Sequence, residues 1–263
     1  MKLAAIQMNS GSIVSENLRV AEQYVTRAAN EGANIIVLPE NFMLMPENHS
    51  QRLDAAELEQ SVRGFMANLA KQSKAILVGG SVPFLASDNK VTNTCLVYDP
   101  DGSNLGRYDK IHLFDVELEN GETYFESKHV YAGSKPVVIQ TESTSIGLSI
   151  CYDIRFPELY RTLTSLGAEI LTVPSAFAVL TGESHWEPLI RARAIENFCW
   201  VVAAAQVGNH PGRSTWGHSV IVNPWGEVVA EKLGGTGVIS SEADLSKLRS
   251  LRQTFPSLNH RRI

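Results

Sequence analysis

Cys151 stands where an apolar run, Ser145-Ile-Gly-Leu-Ser-Ile150, gives way to Tyr152-Asp153-Ile154-Arg155-Phe156-Pro157-Glu158. A thiol at the end of a buried strand, facing a polar loop, is placed for chemistry. A helix opening near Pro157 would add backbone N–H groups and a positive dipole end, which favour a thiolate and a developing oxyanion. A free cysteine is more often a packed core residue, and Cys95 and Cys199, set in apolar runs, read that way. Glu40 closes another apolar run, Ile35-Ile-Val-Leu-Pro39. Burial there would raise its pKa until it could take a proton from a thiol and later from water; the alternative is a solvated loop carboxylate. Lys110 lies among apolar and aromatic neighbours in Gly106-Arg107-Tyr108-Asp109-Lys110-Ile111-His112-Leu113-Phe114. It either points inward or snorkels to the surface.

Strands and helices must bring these residues together. Strand-sized apolar runs recur at 3–8, 33–38, 75–82, 94–98, 146–150, 169–173, 200–205 and 219–222. Between them, residues 15–30 carry Leu18, Ala21, Val25 and Ala28 at helical spacing with Gly32 as a stop, and 157–166 and 185–198 also read as helices. The chain also matches itself. EGANIIVLPENF at 31–42 aligns without gaps to LGAEILTVPSAF at 166–177, and LVYDPDG at 96–102 resembles VIVNPWG at 220–226 in the same order. Two related halves follow, each a small sheet with helices outside, packed as a four-layer αββα sandwich. Ser175 takes the place of Glu40 in the second half, so the halves differ where chemistry would differ.

Composition narrows the function classes. The chain has 263 residues, within reach of a single domain over 1–263. With 44% hydrophobic and 19% charged residues, and no apolar stretch near the roughly 20 residues that span a bilayer, a globular protein without a membrane anchor is expected. The N-terminal apolar run is too short for a signal peptide, so the cytoplasm is the expected location. Lys plus Arg number 23 against 28 Asp plus Glu, and the net charge of −5 argues against nucleic acid or anionic lipid as partner. Three widely spaced cysteines fit neither a disulfide framework nor a zinc site.

The ordered set Leu38-Pro39-Glu40, Asp109-Lys110-Ile111-His112-Leu113 and Cys151-Tyr152-Asp153-Ile154-Arg155-Phe156-Pro157-Glu158 resembles the nitrilase-like carbon-nitrogen hydrolase superfamily. The likeness runs along essentially the whole chain, including His185-Trp186-Glu187 and Trp216-Gly217-His218-Ser219. It implies a Glu-Lys-Cys triad of Glu40, Lys110 and Cys151, with Glu126 as a second active-site glutamate and Glu122 as the nearby alternative. It also implies no metal or organic cofactor, and a homodimer. Cys-Tyr-Asp at the nucleophile, in place of the Cys-Trp-Glu of true nitrile hydrolases, points to the branch of deaminated glutathione amidases and omega-amidases. These cleave the gamma-amide of a 2-oxoglutarate moiety, so a small anionic amide is the implied substrate, held by Tyr152, Arg155, Phe177 and His185. Arg155 serves either as a carboxylate clamp or as the partner of Asp153 or Glu158. Residues 202–210 and the ending at 251–262 favour deaminated glutathione over free 2-oxoglutaramate; another small amide, such as an N-carbamoyl compound, is the further alternative.

Three rivals stand beside this. A papain-like cysteine hydrolase would draw His112, His185 or His218 to Cys151. A metal hydrolase lacks an HExxH motif to start from. A binding module without catalysis would keep the pocket and lose the chemistry. The stretch 244–262, with Leu245, Leu248 and Leu251 on one face, packs either on a second subunit or on its own core.

Overall fold

The computed structural model describes residues 1–119, 121–210 and 212–262. Six helices are present among them: α1 (Val14–Asn30), α2 (His49–Ala56), α3 (Glu59–Ser73), α4 (Pro157–Ser165), α5 (Val179–Asn197) and α6 (Leu245–Thr254).

Two sheets carry the fold, and their strand orders repeat. The first runs Gly237–Glu242, Lys2–Gln7, Ile35–Val37, Ile76–Val78, Val91–Tyr98, with Asn104–Asp109 also paired to the last of these. The second runs Val138–Gln140, Ser145–Leu148, Ile170–Thr172, Trp200–Ala203, Ser219–Val222, Val228–Lys232. Read along either sheet, successive pairings are antiparallel, parallel, parallel, antiparallel and antiparallel. The first sheet adds Val82–Leu85 and Val130–Tyr131 beside Val91–Tyr98.

Local chemistry repeats as well. Gly32 and Gly167 both follow a helix with positive φ, and the next residues, Ala33 and Ala168, donate back to Ala28 and Leu163. In the hairpin 99–103 the Asp99 carboxylate accepts from the Asp101 and Ser103 amides; in 223–227 the Asn223 side chain accepts from those of Trp225 and Glu227. The expected duplication is therefore present in topology and in turn chemistry.

Alternation along the strands builds the layers. Leu3 and Ala5 belong to the core shared with the second sheet, whereas Ala4 and Ile6 pack with Ala21, Val25, Val62 and Met66 of α1 and α3. On the other side α4 and α5 cover the second sheet with Leu159, Leu163, Trp186 and Ile190. The result is the αββα sandwich. Each fully buried large apolar side chain contributes about 1.5–3 kcal/mol to holding it.

Several expectations shift in detail. The buried stripe of α1 begins at Asn17, not Leu18, because the Asn17 amide is tied to Gly11 and to the Met43 carbonyl. The run 75–82 is broken at Gly79-Gly80, where Gly80 takes a positive φ against the Pro39 carbonyl. Helix α5 starts at Val179, six residues earlier than periodicity suggests, and Pro188 lies inside it. The C-terminal helix α6 folds onto its own chain. Leu248 enters the shared core, Arg249 grips Glu169 at 2.6 and 2.9 Å, and Arg252 donates to the carbonyls of Ala168, Asn197 and Phe198.

Candidate active site

The parallel strands Ile35–Val37 and Ser145–Leu148 belong to different sheets, and the residues that follow them, Glu40 and Cys151, line one cavity. Crevices beyond the carboxyl ends of parallel strands are where α/β proteins gather ligand-binding groups. Glu40 and Cys151 are carried into this region from opposite halves.

Cys151 opens a short 3₁₀-helix, Cys151–Arg155, in a left-handed conformation with φ of 50°. A non-glycine residue held there costs about 1–3 kcal/mol and persists only where its surroundings enforce it. The enforcement is visible: the Cys151 amide donates to the Pro174 carbonyl at 2.9 Å, and Asp153, wholly buried, accepts from the Ile150 amide at 2.8 Å. Asp153 also accepts from the Tyr108 hydroxyl at 2.6 Å and the His112 amide at 3.0 Å. One carboxylate thus ties the cysteine turn to the segment that carries Lys110.

Glu40 is 4% exposed and Lys110 2% exposed. Lys110 Nζ lies 3.0 Å from Glu40 Oε1 and 2.9 Å from Glu126 Oε2. The Asn93 amide donates to both carboxylates, at 3.0 Å to Glu40 and 3.2 Å to Glu126. The Ala176 amide reaches Glu40 Oε2 at 2.8 Å, and Gln206 holds the Glu40 carbonyl at 3.0 Å. Glu126 receives a further bond from the Phe114 amide at 2.8 Å. The Cys151 thiol and the Glu40 carboxylate face the same cavity, and each shifts the other's proton affinity. Glu122, the alternative to Glu126, is engaged instead by the Tyr124 hydroxyl at 2.6 Å.

The electrostatics correct one expectation. Burial pushes the Glu40 carboxyl upward, but the Lys110 charge, the hydrogen bond from Lys110 and the neighbouring Cys151 thiol outweigh it, and Glu40 is held below the ordinary carboxylate range. The Cys151 thiol moves up, through burial first and the Glu40 charge second, with Lys110 opposing. The Lys110 ammonium loses by burial but gains more from Glu126 and Glu40, and its pKa rises. At neutral pH Cys151 is therefore a neutral thiol, Glu40 a carboxylate and Lys110 an ammonium.

Cys151, Glu40, Lys110, Asn93 and Glu126 line a cavity of about 340 Å³, whose wall also includes Arg52, Phe114, Tyr124, Lys128, His129 and Arg213. That volume suits a small-molecule ligand. Tyr152, Arg155, Phe177 and His185 gather beside this cavity and are not among its lining residues. There the Arg155 guanidinium sits 5.8 Å from the Tyr152 ring and 5.3 Å from the Phe177 ring, with His185 Nδ1 at 3.3 Å. Arg155 thus pairs with neither Asp153 nor Glu158; Asp153 is saturated by Ile150, Tyr108 and His112.

The histidines are committed elsewhere. His112 Nδ1 meets Asp153 at 2.7 Å and its ring stacks on Phe156, while His218 meets Glu231 at 3.1 Å and stacks on Trp216. Among the described residues none of the three candidate histidines hydrogen-bonds to Cys151, and no group of three or more His, Cys, Asp and Glu side chains could hold a metal ion. Cys95 and Cys199 are fully buried, with burial raising the thiol pKa of Cys95 to about 12. Sequence patterns assigned no site role to Asn93, the Ala176 amide, Gln206, Arg52 or Arg213. Ala176 and Gln206 lie in strings singled out for other reasons, and only tertiary contact reveals the role of any of the five.

Fold and site together define a carbon-nitrogen hydrolase. The family model for carbon-nitrogen hydrolases matches residues 2–253, and the chain belongs to that family; it is a hydrolase of amide carbon-nitrogen bonds. It is 41% identical over 263 residues to a deaminated glutathione amidase of Synechocystis, covering 98% of this chain and 97% of that one. It is 36% identical over 268 residues to human omega-amidase NIT2, covering 99% and 95%. Among solved structures it resembles the Caenorhabditis elegans NitFhit protein, with a TM-score of 0.91 and 38% identity over 99% of this chain and 65% of that longer one. Among the described residues no helix is long and apolar enough to cross a membrane.

Proposed function

We propose that the protein is an amidase that hydrolyses the gamma-amide of a 2-oxoglutarate moiety, with deaminated glutathione as substrate and 2-oxoglutarate and cysteinylglycine as products. One observation carries this: a thiol and a buried carboxylate on the wall of one small cavity, with an ammonium held between that carboxylate and a second one. The similarity to a deaminated glutathione amidase supports the substrate.

The proton inventory sets the mechanism. Because the thiol is neutral and Glu40 ionised, the thiol proton passes to Glu40 as the sulfur–carbon bond forms, rather than beforehand. The carbonyl oxygen becomes an oxyanion, accepted by Lys110 Nζ and the Tyr152 amide; single donors of this kind are worth about 100- to 1,000-fold in rate. Collapse breaks the carbon–nitrogen bond, and the amine departs with the proton from Glu40. Glu40 then deprotonates a water that attacks the thioester, and returns that proton to Cys151 as the acid is released. Glu126 keeps Lys110 charged and oriented, and Asn93 holds the two carboxylates at their spacing. The thiol proton thus leaves with the amine, and the attacking water supplies the proton that restores Cys151.

The likeness to human omega-amidase NIT2 favours a second reading in which free 2-oxoglutaramate is the main substrate. Measuring 2-oxoglutarate release by purified protein from each compound separates the two. Turnover of deaminated glutathione supports the first. No release from it, with rapid release from 2-oxoglutaramate, establishes the second. A homodimer in the cytoplasm belongs to the same proposal, since three free cysteines suit a reducing compartment.

A further inference from the structure

Two guanidinium groups on the cavity wall, those of Arg52 and Arg213, have no part in the acyl-transfer steps. Arg52 comes from α2 and Arg213 from strand Arg213–Trp216, so the fold gathers them from opposite halves of the chain. Both are half-buried. Burial, and then the charge of Arg213, makes Arg52 less favourable as a cation, with Glu126 and Glu40 only partly offsetting this.

Their partners set them apart from the arginines that pair with carboxylates. Arg27, Arg63, Arg107, Arg191, Arg193 and Arg249 all pair with carboxylates. Among the described residues Arg52 makes no hydrogen bond or ion pair, and the bond recorded for Arg213 goes to the Met45 thioether, a weak acceptor. The two carboxylates on the same wall, Glu40 and Glu126, are already taken up by Lys110 and Asn93. Two half-buried like charges repel each other, the charges of Glu126 and Glu40 offset this only in part for Arg52, and an anion between the guanidiniums removes the remaining cost.

We propose that Arg52 and Arg213 form the subsite for a carboxylate of the amide substrate, held by both guanidiniums while the amide carbonyl lies at Cys151. This rests on the amidase reading and is separate from the Arg155 position. Arginine suits the task because its planar donors match a carboxylate in pairs. Deaminated glutathione offers two such groups, at its 2-oxo acid end and at its glycine end; 2-oxoglutaramate offers only the first.

The test uses the full chain with Arg52→Gln, Arg213→Gln and the double variant. The first readout is the ratio of kcat/KM for each anionic amide to that for pentanamide, a neutral amide of similar length. The ratio is expected to fall about 10- to 100-fold per arginine, as for hydrogen bonds to charged groups. A fall for both anionic substrates assigns the 2-oxo acid carboxylate, and a fall for deaminated glutathione alone assigns the glycine carboxylate.

The second readout needs no turnover: the rate of alkylation of Cys151 by iodoacetate relative to iodoacetamide, with Cys151→Ala as blank, since Cys95 and Cys199 are fully buried. It is expected to fall in the same variants and to recover partly in Arg52→Lys. If no amide is cleaved at all, the amidase reading fails while the alkylation ratio still decides the subsite. Anionic-to-neutral ratios within about twofold of the native values overturn the proposal.

Discussion

At Cys151 the chemistry depends on a thiol that stays protonated until its substrate arrives. Its pKa is raised and that of Glu40 lowered, so neither titrates between their ordinary values of about 8.5 and 4.3. The kcat/KM profile should accordingly be flat from about pH 5.5 to 8.5 and fall only outside it; a steep rise through pH 7 would show that a thiolate must form first. The Glu40→Gln variant should lose about 10²- to 10⁴-fold in kcat, the usual worth of a general base, as measured by product release. Full activity in that variant would restore a histidine-assisted cysteine as the better account. Asp153→Ala strips an acceptor from the Ile150 amide, the Tyr108 hydroxyl and the His112 amide, each costing about 1–3 kcal/mol when left unpaired. A drop of at least about 3 kcal/mol in urea unfolding is expected. Cys151 and Glu40 were legible because each follows an apolar run, and Lys110 because it lies among apolar and aromatic residues, all three within recognisable strings. Asn93 was not: it sits in mid-strand, and its position between Glu40 and Glu126 exists only once the sheet has formed.

At the scale of elements, turns decide where the chemistry sits. Gly80 passes so close to the Pro39 carbonyl that a Cβ would lie 2.0 Å from it, and its positive φ already disfavours any other residue. Gly80→Ala should therefore displace Leu38-Pro39-Glu40, cost about 1–3 kcal/mol or more, and lower kcat along with the melting temperature. Unchanged kinetics in that variant would mean that the glycine does not set the position of Glu40. Strand runs and the repeated Gly-Ala turns were readable because period and turn chemistry are local. Helices α2 and α3 were not read. The first buries only Ala55 and Ala56 along its length, and with it Arg52 stayed hidden. The four residues that resemblance assigns to substrate binding come together around Arg155, from the short 3₁₀-helix Cys151–Arg155, a loop and helix α5.

For the whole molecule, duplication explains why the site exists at all. Each half ends a parallel strand at the junction of the sheets; one contributes Glu40 and the other Cys151, with the Ala176 amide of the second half bonded to the Glu40 carboxylate of the first. The strand Gly237–Glu242 from the end of the chain pairs with Lys2–Gln7 at its start, locking the halves together. Activity and far-UV circular dichroism should then disappear in one coincident urea transition, as for a single domain. Two separated transitions would show halves that fold independently. Light scattering should give twice the chain mass of 28.8 kDa for the proposed dimer. The central claim is that Cys151 carries the acyl group of a 2-oxoglutaryl amide. The most direct measurement is rapid acid quenching of the protein during turnover of deaminated glutathione, followed by mass mapping of its peptides. The account predicts one 2-oxoglutaryl group on the peptide that contains Cys151, and no product from Cys151→Ala. Steady release of 2-oxoglutarate by Cys151→Ala, with no acyl group on the native peptide, would contradict it.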